Sequence, residues 1–594
     1  MTDSHLSLDR EWPHWPDFNQ FKRQAKELLK SYRAGDANAV AEVERHEQAP
    51  DPAAFALHDA QRVLARSYGF TSWQKLKNYV QTIENYRQPL QPKSDDDPNR
   101  FLRLACITYF DGDHPSRRER ARRLLAEKPH IAKANIYTAA AVGDVAAVTD
   151  LLTKNADVHA KGGPFDWEPL LYAAYSRVDS EAEEHSTLQV ARLLIEHGAD
   201  PNAGFLWDWG GQFPCLCTAL TGVLGLGEMD VHRVEGPLYQ PPHQRCFEFA
   251  RLLLEAGADP NDNQGLYNRM QYPDDEHLKL LFEYGLGKDQ GGPWFKRFFQ
   301  FWPRVDNRSP ADILSYQLLY AVKVNYFDRV KLLVDNGADV NRTSQYPADA
   351  RAPYALAVYY GHQEIADYLV TKGAKRIALS TADEFAAACN RVDADRAREL
   401  VARHASLLDD PGELLILAAE EGRADSLRLL VELGFDVNGE ADRPSPLHYA
   451  ALAGQLDTVK LLVELGADVD ARDPHYRATP LSAANYKDQR DIVGYLLRFA
   501  SIFDAVEFGG LDRVRTLLRE DPDCVNVRDD DRRTPLHCAN KDTQHGEEII
   551  ELLIEHGADI NAKNNEGRTP VDQMLQNSRE DLAEVLRRLG GHSA

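Results

Sequence analysis

The residues of this chain best suited to hold a metal lie close together: Cys215, Cys217, His232, His243 and Cys246. Thiolates and imidazoles are the preferred ligands of zinc, and a structural zinc site takes four of them in a tetrahedron. The spacing argues against that use. Neither Cys-x-Cys nor the later intervals match a structural zinc pattern, so these residues read as buried thiols and surface histidines, with no metal. Glu183, Glu184 and His185 in SEAEEHST have the types for acid–base work, but they sit in a polar insertion and not as a positioned pair. His448 and His537 stand fourth in the phrases SPLH and TPLH, where a structural hydrogen bond is expected. No Gly-rich phosphate loop, nucleophile elbow or His-Glu-x-x-His helix occurs. The expectation is a chain without catalytic residues, metal or cofactor.

A second set of residues carries recognition chemistry. Fifteen residues separate Asn202 from Thr218, against six between Asn438 and Ser445, and the extra material is GFLWDWGGQFPCLC. It holds Phe205, Trp207, Trp209 and Phe213. A further insertion, GGPWFKRFFQFWPRVDN (291–307), holds Trp294, Phe295, Phe298 and Trp302. Large aromatics on a rigid frame are the residues that anchor interfaces. These eight are the candidate partner-binding residues, and the competing reading is a private core for the insertions. The stretch 227–244 reads as a surface loop.

The elements that must position these residues repeat along the chain. One phrase recurs as LLIEHGADPN (193–202), LLLEAGADPN (252–261), LLVDNGADVN (332–341), LLVELGFDVN (429–438), LLVELGADVD (461–470) and LLIEHGADIN (552–561). Between copies falls a second phrase: SPLHYAALAG (445–454), TPLSAANYKD (479–488) or TPLHCANKD (534–542). Ser445 or Thr534 suits a helix N-cap, and the proline after it suits the first turn, where no amide donor is needed. Ala450 and Ala451 allow close approach of helices. Val459, Leu461, Leu462 and Leu465 give an apolar stripe of helical period. Gly466 ends that helix in the left-handed region, and Asp-x-Asn or Asp-x-Asp turns the chain into the next unit.

These two phrases at this spacing resemble the ankyrin repeat, which implies β-turn fingers and paired antiparallel helices stacked into an all-α solenoid. The resemblance runs from about Phe101 to the C-terminus and implies roughly thirteen units. Leu462 and Leu497 are 35 residues apart but Leu497 and Leu518 only 21, so the finger before Ser501 is expected to be largely missing. The connection after Gly373 also lacks the usual Asp-x-Asn. Residues 203–307 are the least regular part of the array.

The N-terminal piece does not repeat. Phe18, Phe21, Ala25, Leu28, Leu29 and Tyr32 follow helical spacing up to Gly35-Asp36, and DAQRVLARSYGFTSWQKLKNYV (59–80) reads as two helices with a Gly69 stop and a Ser72 cap. The phrases RQAKELLKSYRAGD and YGFTSWQKLK resemble the small helical region preceding ankyrin arrays in many bacterial proteins, which implies a bacterial origin. The expected layout is a helical region over 1–86, a linker over 87–98 and the array over 99–594.

Composition narrows the partners. At 594 residues, 43% apolar and 27% charged, the chain is too long for one core, as a repeat array requires. Its net charge of −24 repels phosphate backbones and anionic membranes, so neither nucleic acid nor membrane is expected as a partner. The one basic run, Arg117 to Arg123, reads as a solvated helix face. Seven scattered cysteines point to reduced thiols, and no signal segment or membrane span is visible, so a cytoplasmic location follows. The resemblance implies a monomeric scaffold or adaptor for a protein partner. Its alternatives are a small-molecule or metal role in 203–307, and an exported effector acting on a host protein.

Overall fold

The computed structural model describes the whole chain except residues 1–9, 11, 14–15, 49–50, 90–93, 110–112, 179–184, 208–213, 228–237, 289–291, 298–308, 344–350, 410–412, 441, 540–544 and 578. It forms two compact units, one over Met1–Val231 and Pro237–Ala378, the other over Leu379–Ala594. Each described unit contains seven antiparallel helix pairs of the repeated kind, fourteen against the roughly thirteen expected.

The pair Pro446–Leu452 and Leu456–Glu464 shows how sequence makes each unit. Ser445 caps the first helix with Pro446 in its first turn. Leu447, Ala450, Ala451, Val459 and Leu462 are fully buried against neighbouring helices. Full burial of each leucine contributes roughly 1.5–3 kcal/mol, a gain that exists only when the next unit is present. Gly466 ends the second helix at φ +92°, and the side chain of Asp468 accepts the amide of Asp470 at 3.0 Å to start the turn.

His448 then links one unit to the next. Its Nδ1 accepts the Ser445 amide at 3.1 Å, which obliges Nε2 to carry the proton it donates to the carbonyl of Ala478, 2.9 Å away in the following finger. His537 repeats the arrangement with the Thr534 amide and the carbonyl of Arg568. The expected structural role thus extends across the repeat boundary.

The first unit also contains a four-helix bundle: α1 (Phe18–Arg33), α2 (Ala37–His46), α3 (Leu57–Ser67) and α4 (Trp73–Tyr86). Asp17, Asp36 and Ser72 cap α1, α2 and α4 through their side chains. Phe21, Val63, Leu64, Leu76 and Tyr79 are fully buried at the centre. Arg10 grips Glu42 with two hydrogen bonds of 2.7 and 2.8 Å, and Ser67 donates to the same carboxylate. The bundle's core is completed by two residues from the array, Leu206 and Trp294.

Candidate partner-binding surface at the finger edge

The first insertion forms a hairpin. β1 (Gly204–Trp207) pairs antiparallel with β2 (Cys215–Thr218), with Phe205 opposite Cys217 and Trp207 opposite Cys215. Phe205 is buried on the array side, its ring 4.6 Å from Trp167 and 5.5 Å from Tyr175. Leu206, its alternate, faces the bundle. Arg87 bridges to Leu206, so the start of the expected linker is fastened to this hairpin.

Trp294 comes from the second insertion, in the short helix Pro293–Arg297. It is buried, with its ring 4.8 Å from Tyr86 of α4 and its Nε1 donating to the carbonyl of Asn202 at 2.8 Å. Arg297 lies over the Tyr86 ring and 3.8 Å from Asp200, and its carbonyl accepts the Thr82 hydroxyl. Phe205 and Trp294 therefore have no face left for a partner: Trp167 and Tyr175 of the array cover the first, and the bundle covers the second. Trp207 and Phe295 are half-buried. Trp209, Phe213, Phe298 and Trp302 lie outside the described residues.

Trp294 crosses a place where a finger is missing. Seven residues, 256–262, join Cys246–Glu255 to Asn263–Met270, whereas fifteen join Leu456–Glu464 to Pro480–Tyr486. The flanking strand β2 and the helix Pro293–Arg297 close over the shortened unit. A cavity of about 50 Å³ remains, lined by Asn202, Thr218, Asp259, Asp262, Trp294 and Phe295. Asp262 is buried there and accepts both threonine hydroxyls, Thr218 and Thr221, with the Gly265 amide at 3.0 Å. Burial pushes its carboxyl above the usual range despite these donors.

The second unit has a gap of the same construction. Only five residues, 497–501, join Arg490–Leu496 to Ile502–Glu507. Thr479, which caps the preceding helix as Thr218 does, donates to the buried carboxylate of Asp504 at 2.5 Å. Burial raises the Asp504 carboxyl, and the charges of Glu507 and Asp470 raise it further. Across the gap the flanking fingers meet through an exposed ion pair, Arg477 with Asp530 at 2.5 Å. Tyr476, on the same finger tip, is 87% exposed. The missing finger before Ser501 was legible in the sequence; the one at 256–262 was masked by the intact GADPN phrase, 257–261, that lies within it.

Two further expectations change. The basic run is not a solvated face throughout: Arg118 is buried and donates to the carbonyls of Tyr239 and Leu238 at 2.9 and 2.6 Å. Arg122 donates to the carbonyl of Arg177, and Arg177 in turn holds Pro241. The described end of the 227–244 stretch is thus anchored to earlier repeats, because buried carbonyls without helix partners require donors. Of the would-be metal ligands, His243 bonds the Thr187 hydroxyl at 2.8 Å through Nε2 and the Arg245 amide through Nδ1. Cys217 is buried with its thiol pushed well up, and His232 lies outside the described residues. Burial likewise raises Cys106, Cys389 and Cys538 to about 12, which keeps them protonated and unreactive. Among the described residues no group of three or more His, Cys, Asp or Glu is placed to hold a metal, and no helix is long and apolar enough to cross a membrane.

A family model described as ankyrin repeats (3 copies) matches residues 384–473, 415–504 and 502–592. Alpha-latrocrustotoxin-Lt1a of Latrodectus tredecimguttatus is 31% identical over 123 residues, 19% of this chain and 9% of that protein. Serine/threonine-protein kinase VIK of Arabidopsis thaliana is 41% identical over 81 residues, 14% of this chain and 18% of the kinase. Ankyrin repeat and KH domain-containing protein mask-1 of Caenorhabditis elegans is 24% identical over 443 residues, 69% of this chain and 15% of that one. The chain spans less than a fifth of the length of each of these relatives. The family match, the recurring cap–helix–glycine units and their histidine links agree: the repeats indicate a protein-interaction domain, and the chain is an ankyrin-repeat protein.

Proposed function

We propose that the chain is a non-catalytic scaffold or adaptor that holds a protein partner in the cytoplasm through the finger edge of its array. The observation that supports this reading is the set of hydrogen bonds that ties that edge together. His448 and His537 tie successive fingers together, and Asn202 binds the next turn through both its Nδ2 and Oδ1, at 2.9 and 2.8 Å. A fixed surface binds with little loss of conformational freedom. In the first unit the contact edge is the insertion surface holding Trp207 and Phe295, with Trp209, Phe213, Phe298 and Trp302 of the same insertions. Phe205 and Trp294 support it from beneath.

The alternative of a small-molecule site in 203–307 fits less well. Metabolite pockets run to about 300–1,000 Å³, and the cavity of about 50 Å³ beside Trp294 has room for a few waters. The test is capture of a protein from the native cell by the immobilised full chain. Loss of that protein with Trp207→Ala and Phe295→Ala, at unchanged circular dichroism and melting, is the expected result. Retention undiminished by the double variant removes this edge from the reading. A metabolite or metal that stays with the purified chain, or a reaction it turns over, replaces the scaffold reading altogether.

A further inference from the structure

The two finger gaps are built alike, and one of them is filled. In the first unit the filler is Pro293–Arg297, in which an aromatic residue is followed by basic ones: Trp294, Phe295, Lys296, Arg297. Trp294 donates to the carbonyl of Asn202, and Arg297 lies near Asp200. The matching positions in the second unit, by the shared GAD phrase, are Asp470 and Asp468. Among the described residues no donor reaches the main-chain carbonyl of Asp470. The side chain of Asp470 accepts the Ser501 amide at 3.1 Å, as the Asn202 side chain accepts the amide of Asp259. The scaffold of the seat is thus repeated, and its aromatic occupant is not.

We propose that the gap at 497–501 is the docking seat for a partner-protein segment in which an aromatic residue precedes basic residues, the chemistry of Pro293–Arg297 supplied from outside. Charge selects such a segment. Asp470 places a carboxylate where the first gap has the neutral Asn202, and Asp529, Asp530 and Asp531 line the neighbouring finger. Residues 379–594 carry 42 acidic and 25 basic side chains, a net −17 of the chain's −24. The pair that spans the gap is easily parted: Arg477 and Asp530 are 62% and 85% exposed, and such pairs hold weakly in water. Tyr476 stands on the same lip, available to cover an incoming ring. The inference rests on the reading of the array as a protein-binding surface.

The test uses the full chain and a synthetic peptide copying residues 288–299, labelled for fluorescence anisotropy. The expected result is saturable binding that weakens at least tenfold with Asp530→Lys and Asp531→Lys, both exposed positions that leave the fold intact. It weakens similarly when the peptide's tryptophan is replaced by serine, and hydrogen exchange slows at 470–478 and 497–504 on binding. Absence of binding overturns the proposal. So does binding indifferent to the tryptophan, which would be charge attraction alone, or protection confined to 202–262, which would be exchange with the resident Trp294. A native protein partner that the Asp530→Lys, Asp531→Lys chain still captures would leave the scaffold reading standing while this seat fell.

Discussion

The gap at 256–262 and the gap at 497–501 are two answers to one omission. Each unit there lacks its finger, each places a buried carboxylate under the hole, and each offers it a threonine hydroxyl from the preceding cap. In the first, a tryptophan from the far side closes the opening and joins the core of the N-terminal bundle. In the second, an exposed ion pair spans the opening and a tyrosine stands uncovered beside it. The difference separates a structural from a recognition use of the same vacancy: apolar closure is strong and permanent, and ionic closure in water is weak and reversible.

The comparison breaks most readily at Trp294. Trp294→Ala removes a buried ring shared by hairpin, insertion and bundle, and should cost about 3–5 kcal/mol. Hydrogen exchange should accelerate across 18–86 and 204–218 and stay unchanged at 446–464; uniform exchange would mean that the first gap is not held by this residue. Next come the threonines. Asp262 keeps Thr221 and the Gly265 amide when Thr218 is lost, but among the described residues Asp504 has no second side-chain donor. Thr479→Val is therefore expected to destabilise the second unit by about 1–3 kcal/mol, and Thr218→Val to do less to the first, as read from denaturant midpoints.

The pH dependence sharpens the comparison further. Asp504 is raised in the folded state above the unfolded value of about 3.9, so the folded form binds that proton more tightly. Its favourable contribution is complete below about pH 4 and is lost as pH rises through the folded value. Asp504→Asn should flatten the stability profile of the second unit above about pH 4 and stabilise that unit at neutrality. A profile unchanged by the substitution would show that the carboxylate is solvated. His448 and His537 act with the opposite sign: burial lowers both, so their contribution is lost as pH falls below about 6.5. The smallest effect belongs to the bridge. Arg477→Ala should change stability by less than about 1 kcal/mol, and by nothing measurable in 1 M salt.

The regular units were legible in the sequence because every one of their features is local: a cap, a proline, an apolar stripe, a left-handed glycine. The gap before Ser501 was legible for the same reason, as a short interval between leucines. The insertions were visible as composition, but the burial of Phe205 and Trp294 was not. Trp294 is covered by the bundle at 18–86 and Phe205 by Trp167 and Tyr175 of an earlier repeat, and no local pattern reports contacts so distant in sequence. The anchoring of 238–241 by Arg118 and Arg177 escaped for a related reason. A run of arginines looks the same whether its partners are water or main-chain carbonyls.

The sharing of Leu206 and Trp294 between bundle and array also sets an order of events at the ribosome. A bundle complete in itself could close as soon as Tyr86 emerged. This one receives its last core residue only with Trp294, about 10–40 s later at ordinary elongation rates of about 5–20 residues per second. Throughout that interval the face of α4 that receives the tryptophan stays bare on a nascent chain. The first unit should therefore draw on chaperones during synthesis, while the second, whose described contacts run between neighbouring repeats, can form as it is made.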